Sequence, residues 1–319
     1  MFLEKVDKST NLPLKYLLGF FIIALSYVFG QFPISIAIIF KTFSTGKPMP
    51  TTNADFMKIL SPNLTLFLAL LIFVFTMLGI IIVVKYLHKL KLIAIITSRK
   101  KVDWNRIMFS FSLWAFFTAA STLLLYFVHP ENFVVNFHPV PFLILAIIGI
   151  TMLPIQTTTE EFIFRGYLMQ GFGILAKNRW VPLITTSALF GLMHLANPEV
   201  EKLGYIILVY YIGTGFFLGI ITLMDEGMEL ALGFHAANNL VGALLVTSDW
   251  SALQTESIFK DISEPSAGFE ILVPVFIIFP ILLFIFSKKY NWSNWKEKLT
   301  GKIIVYQQIE NIENDGSNE

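Results

Sequence analysis

Two adjacent carboxylates and a guanidinium four residues on, Glu160-Glu161-Phe162-Ile163-Phe164-Arg165, stand inside a chain that is 55% hydrophobic and only 14% charged. Two further pairs at the same spacing follow. Phe190 and His194 lie four apart in FGLMH, and His235 and Asn239 lie four apart in HAANN. Residues at that spacing project from one face of a helix. Glutamate and histidine are the side chains that move protons near neutral pH. A charged side chain in the middle of a bilayer costs several kcal/mol, so such residues are functional candidates by default.

The bilayer itself follows from composition. Mean hydropathy is +0.69, and phenylalanine alone occurs 32 times. Apolar runs cover 16–40, 64–84, 107–128, 141–156, 180–196, 203–224, 230–247 and 270–287. Most approach the ~20 residues a helix needs to cross hydrocarbon. The expected fold class is therefore all-α, a polytopic integral membrane protein of about eight transmembrane helices. The first run is too long for the core of a signal peptide and is kept as a span. Of the 23 Lys and Arg residues, all but Lys41, Lys47, Lys58, Lys202 and Lys260 fall on one side of this arrangement. That bias places both termini in the cytoplasm of a multi-pass cell-membrane protein. A net charge of +1 offers no footprint for nucleic acid, and zero cysteines exclude disulfides and thiolate chemistry.

The elements that must position the polar set can be outlined. Residues 1–136 read as anchoring helices with a basic loop at 85–106 lying against anionic headgroups. Residues 137–248 hold the polar set, 249–290 an outer loop and the last span, and 291–319 a polar tail whose end, NIENDGSNE, has the composition of disorder. No internal repeat is visible. A single straight helix over 141–176 would measure ~53 Å. Pro154 and Thr157–Thr159 therefore predict a break, with a threonine cap opening a new helix at the glutamates. The dipole of that helix would favour ionised carboxylates, and Glu161 and Arg165 are spaced to pair. A hairpin turning at 177–179 carries Glu160 and His194 to similar height, at ~26 and ~23 Å from the turn, while His235 falls several Å short.

EExxxR, FxxxH and HxxxN, in this order and on separate helices, resemble the CAAX protease and bacteriocin-processing family (CPBP or Abi), the type II CAAX prenyl endopeptidase-like intramembrane proteases. The resemblance spans roughly 140–248, and Gly166 in FRGYL also fits it. It implies an intramembrane endopeptidase acting on membrane-associated peptides or proteins from within the lipid bilayer. Glu160 would be the general base, His194 would hold the water or a metal, and His235 with Asn239 would complete the pocket. Glu161 would pair with Arg165 and orient the site. Two mechanisms stay open: a zinc protease using His194, His235 and Glu160 as ligands, or a metal-free glutamate protease with His235 and Asn239 at the oxyanion. No HExxH helix is present. The absence of cysteine points to a bacterial relative, in peptide processing or bacteriocin self-immunity.

Each feature also has a plainer reading. The glutamates could form a solvated helix start, and His194 an interfacial histidine reaching outward. His235 and Asn239 could be interhelical glue worth ~0.6 kcal/mol. Gly213, Gly215 and Gly219 read as close helix packing, Asp225, Glu226 and Glu229 as a hydrated turn, and His88, His129 and His138 as loop residues without convergent partners. A non-catalytic scaffold or immunity protein retaining the fold is the alternative function, and a transporter comes third. Three plain readings would have to coincide with the family order, which decides for the enzyme.

Overall fold

A computed structural model describes residues 2–4, 12–46 and 57–303. Lys5, Lys8, Lys47 and the tail from 304 lie outside the described residues. Every apolar run carries a helix. Helices α1 (Leu12–Gly30) and α2 (Phe32–Thr45) form the first run, α3 (Pro62–Ile82) the second, and a short α4 (Ile93–Ile96) lies in the basic loop. Next come α5 (Trp104–Val128), α6 (Pro139–Glu161), α7 (Met169–Ala176), α8 (Trp180–Leu192) and the short α9 (Pro198–Leu203). Helices α10 (Ile207–Asp225), α11 (Glu229–Leu245), α12 (Phe279–Lys289) and a short α13 (Trp295–Thr300) complete the series. Among the described residues, six helical stretches are long and apolar enough to cross a membrane. The runs at 180–196 and 230–247 instead carry helices of 13 and 17 residues. A small sheet is added outside the helices. β1 (Phe133–Val135), β2 (Val246–Thr247) and β3 (Phe259–Asp261) pair in the order β1-β3-β2.

The expected break before the glutamates is absent. Helix α6 runs unbroken through Pro154 to Glu161, and Phe162–Leu168 continues it as a π-helix into α7. The threonines explain why. Thr157 Oγ1 donates to the Leu153 carbonyl at 3.1 Å, and Thr159 Oγ1 to that of Ile155 at 2.7 Å. Hydroxyls bonded back one turn act inside a helix and cap nothing. Glu160 therefore lies deep in a 38-residue helical stretch, ~57 Å long, and owes nothing to a helix N-terminus. A π turn shifts side chains out of the 3.6-residue register, often at functional sites. Here it turns Phe162, Phe164, Arg165, Gly166 and Tyr167 all inward.

Helix pairs bring the polar segments together. Helix α11 packs between α5 and α6, and α8 against α10. The glycines of α10 do face neighbours closely. A Cβ on Gly215 would stand 2.6 Å from the Ser187 carbonyl oxygen, so α8 and α10 touch backbone to backbone there.

Two expectations at the other end of the bundle fail. Asp225 and Glu229 form no hydrated turn. Both are buried, and Arg99 bridges them at 3.0 Å each, while Arg106 pairs with Asp225. Carboxylates shielded from water require such partners, and the basic loop supplies them from residues that a lipid-facing reading had assigned to headgroups. His88 is likewise buried, 4.6 Å from the Tyr16 ring and bonded to Tyr167 Oη at 3.1 Å. Replacing Asp225 by asparagine leaves two guanidinium groups undercompensated. The expected result is a loss of about 3 kcal/mol, read as a lower melting midpoint in detergent; an unchanged midpoint would show that the cluster contributes little.

Candidate active site

Arg165 has no exposed surface, and its position is fixed by what surrounds it. Nη1 donates to Glu161 Oε1 at 3.0 Å, and Nη2 to the Gly215 carbonyl at 3.0 Å. The guanidinium lies 4.5 Å from the centre of the Phe190 ring. Phe190 thus faces a cation and also contacts His194 and His235, at ring separations of 5.1 and 5.8 Å. Glu161 is equally inaccessible and takes a second partner, His235 Nδ1, at 2.8 Å. A carboxylate already paired with arginine accepts, so Nδ1 of His235 carries a proton.

His235 Nε2 points the other way, to Glu160 Oε2 at 3.4 Å. Glu160 is held at its other oxygen by Gln156, whose Nε2 donates to Oε1 at 2.7 Å. Gln156 Oε1 accepts from Asn239 Nδ2 at 2.9 Å, Asn239 Oδ1 from Asn238 at 3.1 Å, and Asn238 Oδ1 from the Trp114 indole at 3.1 Å. This chain of amides places Asn239 beside Glu160 but gives it Gln156 as a partner.

His194 lies just past the end of α8. Its Nδ1 donates to the Phe190 carbonyl at 2.8 Å, and its ring stacks on Tyr211 at 4.4 Å. With Nδ1 occupied as donor, Nε2 of the neutral ring is left as an acceptor.

A cavity of about 1030 Å³ opens against this set, walled largely by apolar side chains of α1, α3, the π-helix Phe162–Leu168 and α7. Gln156, Glu160, His194, Asn238 and Asn239 line it, whereas Glu161, Arg165 and His235 stand behind. Glu160 keeps 15% of its side chain exposed and Glu161 none. The adjacent glutamates are thereby separated into one that reaches the cavity and one that braces the bundle. His129 and His138 remain at the surface, bonded to Glu131 and to the Asn136 carbonyl.

The donor set does not fit a zinc site as placed. Among the described residues, no group of three or more His, Asp or Glu side chains is arranged to hold a metal ion. His235 Nε2 faces Glu160 in place of a shared ligand position with His194.

Sequence reasoning missed Gln156, Asn238, Trp114 and Tyr211. Gln156 had a signal: a lone amide one turn before Glu160 in an otherwise apolar run. Asn238 adjoins a motif residue, but which of two neighbouring asparagines reaches inward depends on helix rotation. Trp114 and Tyr211 lie in distant apolar stretches and carry no signal of their own.

Removing either member of the Arg165–Glu161 pair strands a buried charge, at a cost of about 3–5 kcal/mol. Arg165→Ala and Glu161→Ala should each lower the melting midpoint strongly. The double change should cost less than the sum, as contacting residues do. A double-mutant cycle on thermal stability checks this, and strict additivity would contradict the pairing.

Comparison with known proteins agrees in class. The family model for Rce1-like proteins, type II CAAX prenyl endopeptidases, matches residues 136–241, a stretch containing Glu160, Glu161, Arg165, His194, His235 and Asn239. An uncharacterized protein of Bacillus subtilis (strain 168), YyaK, is 31% identical over 201 residues, which cover 63% of this chain and 67% of that protein. No solved structure matches. With a helical, apolar architecture around a polar centre on these helices, the chain is a polytopic membrane protein that belongs to the Rce1-like type II CAAX prenyl endopeptidase family.

Proposed function

We propose that this chain is an intramembrane endopeptidase that hydrolyses peptide bonds of membrane-associated peptides or proteins, using a glutamate-activated water. The observation that supports it most is the division of labour between Glu160 and Glu161. Of the two, Glu160 presents its carboxylate to the cavity, while its neighbour is locked between Arg165 and His235.

In this reading a water sits between the Glu160 carboxylate and His194 Nε2, two acceptors for its two hydrogens. As the water oxygen attacks the scissile carbonyl carbon, Glu160 takes its proton. The carbonyl oxygen becomes an anion and needs donors already in place. Asn239 Nδ2, which lines the cavity, can swing from Gln156 to supply one. Glu160 then gives its proton to the leaving amide nitrogen, the C–N bond breaks, and an acid and an amine are released. Glu161 and Arg165 position His235 and touch no reacting atom. The apolar walls suit a substrate whose flanking segment is itself membrane-embedded.

Glu160→Gln keeps size and hydrogen bonding but removes basicity. Hydrolysis should fall at least ~100-fold with little change in melting. Retained peptidase activity would overturn the assignment and favour a non-catalytic scaffold. The metal-free route also predicts that chelator treatment leaves the rate unchanged. Loss of activity on chelation, restored by zinc, would replace this route with a metal-dependent one.

A further inference from the structure

Glu199 lies five residues past His194 and lines the same cavity as Glu160. Its Oε1 accepts from the Ala252 backbone N–H at 2.7 Å, which ties α9 to the loop after β2. Its Oε2 is shielded from solvent and has no hydrogen-bond partner. A buried carboxylate oxygen left without a donor costs free energy until something supplies one. Burial accordingly pushes the Glu199 carboxyl above its ordinary range, and the Ala252 N–H opposes this only in part.

The wall around it sharpens the chemistry. Among the described residues lining the cavity, Glu160 and Glu199 are the acidic ones, and no Lys or Arg is present. Low-dielectric walls of one sign focus the field on whatever enters. Glu199 is also near the reacting end. Tyr211, which stacks on His194, has its hydroxyl 3.5 Å from Asn197 Nδ2, two residues before Glu199.

We propose that Glu199 is a specificity-determining residue that receives a cationic side chain, lysine or arginine, of the peptide substrate close to the scissile bond. The ammonium or guanidinium would donate to Oε2 once a small side-chain rotation turns that oxygen to the cavity, while Ala252 keeps Oε1. The inference rests on the peptidase reading for its substrate but concerns binding, which can be measured separately. If Glu199 served only to hold the loop at 249–253, its charge would be dispensable and every peptide would respond alike.

The test uses the full chain in detergent and a set of apolar peptides of roughly 20 residues. Each bears a single lysine, glutamine or glutamate, moved through the positions around the cleavage site. Binding is read by fluorescence anisotropy in the Glu160→Gln background, and hydrolysis in the chain with Glu160 intact. At one position lysine should bind about tenfold more tightly than glutamine, and glutamate more weakly still. Glu199→Gln, which preserves an acceptor for the Ala252 N–H, should bring the lysine-to-glutamine ratio close to one. Glu199→Lys should reverse the order in favour of glutamate. Equal binding of the three peptides, a lysine preference that survives Glu199→Gln, or a uniform loss for all peptides in that variant would overturn the proposal. Binding preference without hydrolysis by the chain with Glu160 intact would instead overturn the peptidase reading and leave the subsite standing.

Discussion

A guanidinium with no solvent contact has to be neutralised where it stands, and the arrangement around Arg165 follows from that demand. Glu161 supplies the charge, one turn earlier on the same helix. The Gly215 carbonyl takes a second N–H, at the residue where α10 also meets α8 backbone to backbone. Phe190 closes the face of the ion. Three helical segments are fixed relative to one another by a single side chain. His235 then joins from α11 through Glu161, so the fourth segment inherits its position from the same pair.

That anchoring frees Glu160. Its neighbour absorbs the structural role, and its own carboxylate meets the cavity with Gln156 on one oxygen and His235 on the other. A second ion cluster lies outside the cavity lining. Arg99 and Arg106 hold the α10–α11 turn through Asp225 and Glu229, and so set where α11 begins. The bundle is clamped at two depths by buried charge, with apolar packing between.

The membrane architecture was legible because hydropathy reports directly on the solvent a helix must face; every apolar run acquired a helix. The Glu161–Arg165 contact was legible because spacing on one helix fixes it. Other features depended on tertiary placement. The threonines before the glutamates looked like a cap, yet a hydroxyl can equally bond back one turn, and only the surrounding helix decides. Asp225 and His88 looked exposed because sequence shows a turn or a loop but not the segment that folds over it. The amide chain from Trp114 to Gln156 crosses three helices, so no local pattern could announce it.

The central claim is that Glu161 and Arg165 fix the protonation of His235 and thereby leave Glu160 as the group that acts in the cavity. Nitrogen-15 NMR of histidine-labelled protein, with His235 assigned through its glutamine variant, reads this directly. The account predicts a proton on Nδ1 of His235 in the folded protein at neutral pH, and loss of that fixed state in Glu161→Gln. A His235 protonated on Nε2 alone, or one indifferent to the change at Glu161, would contradict it.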